Sequence, residues 1–417
     1  MRRQPCRCRA PSQPRLQRSE GLSRRFRRLA KSRRVRPVAF RSHSLLPRRA
    51  LLIALLLVAA LSFAKEKKKE EPLLRKVGVT LRDFYPPEGY NWRGSDSHSL
   101  SVIVWYPAEA SAEEKEQYLG DPPMIYAGKA AKDAIFAPSF NTYPLVALSH
   151  GTGGSAIQMA WLGTYLAARG YIAVAVNHPG NNAATGYTPQ GFAEGWERAK
   201  DISTVIDGML RDQRFGTKID PDRIGAAGFS YGGFTMMELA GATADFKGLL
   251  AWCQAPENHN ACSPPEMPDL IDKFTKMQNQ PEIKAALDHA GDSYRDPRIR
   301  AVFAIAPAIA RAFSKDSLAQ INIPVAIVAG EADDQAPVES NTKIFAAGIK
   351  GAQLTILPNG VGHYTFLDVG TDLAKKKLPQ LFVDNPAVDR QAVHEQVATM
   401  AADFFDKELT PVKHKKK

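Results

Sequence analysis

The sequence predicts an α/β fold, a mostly parallel sheet covered by helices. Three observations predict it. Short apolar or β-branched runs alternate with longer stretches of helical periodicity. Most of those runs are continuously apolar, as strands buried on both faces must be. The residues with chemical character cluster just after the runs, where open α/β sheets place their sites.

Taken in chain order, seven runs read as strands: Ser99–Pro107, Tyr143–His150, Tyr171–Pro179, Asp222–Ser230, Arg300–Pro307, Ile323–Gly330 and Ala352–Pro358. Between them, "WERAKDISTVIDGML" sets Trp196, Ala199, Ile202, Val205, Ile206 and Met209 at helical spacing, and "VHEQVATMAADFF" repeats that period near the C-terminus. The alternation breaks at residues 244–297, where about fifty residues separate one helix from the next strand. Insertions of that length in compact domains are usually lids or binding loops, so this one reads as a cap.

A net charge of +12 would point to nucleic acid if it were spread over the chain, but residues 1–50 alone hold 16 Arg and one Lys against one Glu. The rest is mildly acidic, and no nucleic-acid partner is expected. The basic leader runs into "ALLIALLLVAALSFA", Ala50–Ala64, fifteen residues with no charge. That is short of the roughly 20 residues of a membrane span and suits a signal-peptide core, with Ser62 and Ala64 as the small residues before a cut at Lys65. The expected organisation is therefore a leader and signal peptide at 1–64, a charged linker at 65–76, a catalytic domain at 77–408 and a basic tail at 409–417. The protein is expected to be exported, periplasmic or secreted. The alternative is an uncleaved N-terminal anchor, which would be its contact with a membrane.

Of four cysteines, Cys6 and Cys8 fall in the leader. Cys253 and Cys262 remain as a pair in an exported body, where a disulfide is chemically permitted, against the alternative of two free thiols.

Acyl transfer by serine needs a base, a carboxylate to orient it, and N–H donors for the oxyanion. "GFSYGG" sets Ser230 in the G-x-S-x-G pattern of a strained strand-to-helix turn. "SHGTGG" follows an earlier strand, and the backbone N–H of Thr152, with that of Tyr231 just after the serine, are the candidate oxyanion donors. "AGEADDQAP" offers a carboxylate after a later strand. Spacing from Gly330 and to Pro337 favours Asp333 over its neighbour Asp334, and a helix cap is the alternative role for either. "NGVGHYTFLD" puts His363 in the loop after the final strand. The chain order Ser230, Asp333, His363 is that of an α/β-hydrolase fold and differs from the two other common serine-triad orders. No metal-ligand spacing and no dinucleotide fingerprint appears, so neither a metal nor a cofactor is expected.

From about Val77 to Phe405, the segments "VWYP", "LSHGTGG", "NHPGNN", "DISTVID", "GFSYGG", "GEADDQAP" and "GHYTFL" together resemble the predicted dienelactone hydrolases and the neighbouring platelet-activating-factor acetylhydrolase-like esterases. The resemblance implies an exported serine hydrolase with Ser230 as nucleophile, Asp333 as acid, His363 as base, and Thr152 and Tyr231 as oxyanion donors. Authentic dienelactone hydrolases carry cysteine where this chain has Ser230, which departs from that substrate. The leading expectation is cleavage of small-molecule or lipid-like carboxylic esters. A peptidase or acyltransferase on the same triad is a second reading, and a catalytically silent binding protein that kept the fold is a third.

Overall fold

The computed structural model describes residues 74–138, 142–258 and 262–411. The leader, the apolar stretch Ala50–Ala64, most of the charged linker and the last six residues lie outside them. No described helix is long and apolar enough to cross a membrane.

Every run expected to be a strand is one, in a single large sheet. The strands are β1 Lys76–Phe84, β2 Leu100–Ala108, β3 Lys115–Leu119, β4 Ile125–Lys132, β5 Tyr143–Ser149, β6 Ile172–Val176, the short ribbon of β7 Asn181–Asn182 and β8 Gly186–Tyr187, then β9 Ile219–Phe229, β10 Ile299–Ile305, β11 Val325–Gly330, β12 Gln353–Leu357 and β13 Val369–Gly370. Their order is β12-β11-β10-β9-β5-β6-β2-β1-β4-β13, with β3 added beside β4. From β12 to β6 all neighbours are parallel, and β2 breaks the pattern by running antiparallel to both β6 and β1.

The strands β1, β3, β4 and β13 were not anticipated. β1 alternates buried and exposed residues over much of its length, and β3 is nearly all exposed. β1, β3 and β4 carry Lys, Glu or Asp at exposed positions, and β13 is only two residues long, which hides all four from a search for apolar runs.

The central strands show why those runs are continuous. Along β5, Leu145 and Ala147 enter the core on one face while Val146 and Leu148 enter the core on the other, all at 0% exposure. Each such Val or Leu contributes roughly 1.5–3 kcal/mol by leaving water. Helices α1 Ala160–Ala168 and, at the C-terminus, Arg390–Glu408 cover one face. Helices α2 Glu197–Arg211 and α3 Tyr231–Ala240 cover the other. The expected apolar stripe of α2 is buried as read, but Glu197, Arg198 and Asp201 are buried with it.

The insertion at 244–297 forms helices α4 Phe246–Gln254, α5 Leu270–Met277 and α6 Pro281–Asp288. Cys253 and Cys262 are joined as a disulfide, with Cα atoms 5.7 Å apart. Around it, Cys253, Met267, Leu270 and Ile271 pack with Phe192 into a small separate core.

Candidate active site

Ser230 caps the start of α3 with φ 56° and ψ −114°, a conformation sparsely populated for any residue but glycine. Such strain costs on the order of 1–3 kcal/mol and persists only when the surroundings hold it. Here Ser230 N donates to Ile305 O at the end of β10 (2.8 Å), and Ser230 O accepts from Ala308 N and Phe234 N, each at 3.2 Å. The flanking glycines are there for close approach. A Cβ on Gly228 would lie 2.2 Å from Gly232 O, and one on Gly232 would lie 2.0 Å from Ser149 O.

His363 follows β12 and the turn at Gly360, in a short 3₁₀ segment, His363–Phe366. Its Nε2 is 3.0 Å from Ser230 Oγ and its Nδ1 is 2.7 Å from Asp333 Oδ2. Two groups behind that segment fix it: Trp161 Nε1 donates to Phe366 O (3.0 Å), and His394 Nε2 donates to Thr365 O (2.8 Å). Burial draws the His394 imidazole down to about 4, so it stays neutral while it holds that bond.

Asp333 follows β11 and is buried; its Oδ1 accepts from Gln335 N (3.1 Å) and Ala336 N (2.7 Å). The neighbouring Asp334 is exposed and accepts only from Gln335 Nε2 among the described residues. Ser230, His363 and Asp333, 133 and 30 residues apart in sequence, therefore meet as one hydrogen-bonded relay.

The loop from His150 to Gly154 leaves β5 beside the serine. A Cβ on Gly151 would lie 3.2 Å from Ser230 Cβ. Among the described residues, neither the Thr152 nor the Tyr231 N–H donates to a protein acceptor, while Gly153 N is held by Asn181 Oδ1 at 3.2 Å. The insertion borders this loop, since a Cβ on Gly153 would meet Glu266 Cγ at 2.7 Å. Tyr187 closes the same side by donating to Gly153 O at 2.8 Å.

Sequence reading missed the polar cluster beneath the loop. His178 Nδ1 donates to Asp201 Oδ2 (2.7 Å), and its Nε2 accepts from Ser149 Oγ (2.9 Å). Asp201 is held further by both of its oxygens on Arg93 Nη2 (2.9 and 3.0 Å) and by Tyr90 Oη (2.5 Å). Burial holds the His150 and His178 imidazoles well below their ordinary pKa, with Arg198 adding to it, so both are neutral. The signal was present in "NHPGNN" and "DISTVID": polar side chains set into an apolar strand end and an apolar helix stripe. Among the described residues no group of three or more His, Cys, Asp or Glu could hold a metal ion.

Comparison with known proteins identifies the family and the fold. The model of the Alpha/beta hydrolase family matches residues 145–376. Cutinase est1 of Thermobifida alba is 29% identical over 112 residues, 26% of this chain and 34% of that protein. The uncharacterized peptidase YuxL of Bacillus subtilis is 28% identical over 245 residues, 57% of this chain and 33% of that one. Platelet-activating factor acetylhydrolase of Canis lupus familiaris is 24% identical over 230 residues, covering 42% and 50%. The chain thus spans about a third to a half of the length of these curated relatives. Among solved structures, a ferulic acid esterase from Streptomyces cinnamoneus superimposes with TM-score 0.54 over 83% of this chain and 94% of that chain, at 20% identity. That likeness is one of fold, the α/β-hydrolase fold.

Proposed function

The chain belongs to the alpha/beta hydrolase family, and from that premise we propose that it is an exported serine hydrolase of carboxylic esters. The observation that supports this best is the relay from Ser230 Oγ to His363 Nε2 and from His363 Nδ1 to Asp333.

In this reading His363 takes the proton of Ser230 as the hydroxyl oxygen attacks the ester carbonyl. Asp333 holds the imidazole in the tautomer that can accept it and offsets the positive charge that forms. The negative charge develops on the carbonyl oxygen, where the Thr152 and Tyr231 N–H groups donate. His363 then returns the proton to the leaving alcohol, and an acyl group remains on Ser230. A water repeats the sequence, with His363 as base, and releases the acid.

Within the family, the motifs favour the platelet-activating-factor acetylhydrolase-like and dienelactone hydrolase-like esterases, with serine as the nucleophile. Residues 77–408 are the catalytic domain and 244–297 the cap that selects the substrate, a small or lipid-like ester. Residues 1–64 carry it out of the cytoplasm. The stretch shared with the peptidase YuxL supports amide cleavage as a second reading.

The test is intact-mass measurement after exposure to a fluorophosphonate, alongside p-nitrophenyl esters of increasing chain length and peptide p-nitroanilides. One adduct, absent in Ser230→Ala, with turnover of esters, is the expected result. No adduct on the wild-type protein would overturn the reading, and faster cleavage of anilides than of esters would move it to the peptidase.

A further inference from the structure

The buried cluster beneath the loop repeats a serine–histidine–aspartate arrangement, Ser149, His178 and Asp201, each at 0% exposure. No substrate reaches it, so its role is mechanical, and the residue that connects it to the reacting centre is Arg198.

Arg198 is 1% exposed. Its guanidinium makes contacts in three directions. Nη2 donates to His150 O and, at 3.3 Å, to Ser149 Oγ. Nη1 donates to Asn181 Oδ1 at 2.9 Å, the same oxygen that accepts from Gly153 N. Nε donates to Thr235 Oγ1 at 3.3 Å, whose hydroxyl in turn donates to Tyr231 O at 3.1 Å. The guanidinium carbon also lies 4.9 Å from the centre of the Tyr231 ring.

These contacts fall on the two backbone segments that carry the candidate oxyanion donors. Thr152 stands between residues tied to Arg198 on both sides, His150 directly and Gly153 through Asn181. Tyr231 is tied through Thr235 and by its own ring. We propose that Arg198 is the positioning residue of the oxyanion hole: one buried guanidinium sets the separation of the Thr152 and Tyr231 N–H groups, which belong to different elements and share no direct bond among the described residues. The inference rests on the reading of those two N–H groups as oxyanion donors.

Arginine is required by the geometry. Its planar fork presents five N–H donors in fixed directions, whereas a lysine offers three from a single nitrogen and cannot reach acceptors on three sides. Burial draws the Arg198 guanidinium down to about 10, which leaves it charged at neutral pH. Such precision matters because donors for an oxyanion act through pre-set position, and a misplacement of about 1 Å can cost 10²-fold in rate.

The test uses full-length Arg198→Lys and Thr235→Val, with folding checked by circular dichroism and melting temperature, and an ester paired with its thiono analogue. Sulfur is larger and a weaker acceptor than oxygen, so a well-set pair of donors favours the oxo ester, and a displaced pair loses that preference. Arg198→Lys is expected to lower kcat by about 10²-fold with KM little changed, and to reduce the ratio of kcat/KM for oxo over thiono ester. Thr235→Val is expected to move the same ratio in the same direction, by less, and it decides the matter if Arg198→Lys does not fold. A folded Thr235→Val that keeps both kcat and the ratio at the wild-type value would overturn the inference, as would a folded Arg198→Lys that alters KM alone. A wild-type protein inert toward both esters would overturn the proposed activity itself, and this inference with it.

Discussion

His363 Nδ1 lies 2.7 Å from Asp333 Oδ2, and the other oxygen of Asp333 accepts two backbone N–H groups of its own turn. The carboxylate is thus held at both ends, and its neighbour Asp334 points away into solvent. Asp333→Asn is expected to lower kcat by about 10⁴-fold, by analogy with a serine protease in which the imidazole is then held in the wrong tautomer. Asp334→Asn should remain within a few-fold of wild type. Steady-state kinetics on a p-nitrophenyl ester checks both, and an active Asp333→Asn would mean that His363 takes its orientation elsewhere.

Ser230→Ala and His363→Ala should each abolish ester turnover, with a loss on the order of 10⁶ in kcat if the relay acts as a unit. Neither should unfold the protein. Ser230→Ala removes one hydroxyl from a site whose backbone is held by β10, and His363 sits on a segment held from behind by Trp161 and His394. The measurement is turnover beside thermal denaturation; residual activity near wild type in either variant would exclude that residue as a catalytic group.

The disulfide between Cys253 and Cys262 closes a short loop within the insertion, nine residues apart in sequence. In the chain-entropy account a loop of that size contributes about 2–3 kcal/mol to the segment it closes. Both thiols should resist alkylation until the protein is reduced, as mass spectrometry would show. Because the bond lies in the small core around Met267 and Leu270 and away from the central sheet, Cys253→Ser with Cys262→Ser should speed proteolysis within 244–297 more than it lowers the melting temperature.

Glu194 is 1% exposed, and burial raises its carboxyl from 4.5 to about 7. An acid whose folded value lies above its unfolded one binds its proton more tightly when folded. Its contribution is fully present below pH 4.5 and is lost as pH rises through 7, a difference of roughly 3 kcal/mol. Glu194→Gln keeps an acceptor for Asn91 Nδ2, now 2.8 Å from Glu194 Oε2. It should therefore raise the melting temperature at pH 8 and leave it nearly unchanged near pH 4.5. An equal effect at both values would show that the carboxyl titrates alike in the folded and the unfolded protein, and that burial does not raise it.

Much of this protein was legible in one dimension, and the reason is period. A strand buried on both faces must be apolar at every position, so Tyr143–Ser149, Ile172–Val176 and Val325–Gly330 stood out as runs, and α2 stood out by its stripe. Ser230 was legible because a turn with its φ and ψ, in which Ser149 O approaches Gly232, demands glycines at set positions. What the tertiary structure decided were matters of direction. Between Asp333 and Asp334, spacing from Gly330 and to Pro337 favours the first, and the path of the chain after β11 is what turns its carboxylate toward His363. Arg198 and Asp201 are charged residues on a helix, a pattern that usually marks the wet face; they are internal because β5, β6 and α3 bring Ser149, His178 and Thr235 around them as partners. A buried charge is tolerable only when such partners arrive from elsewhere in the chain, and that meeting is a property of three dimensions.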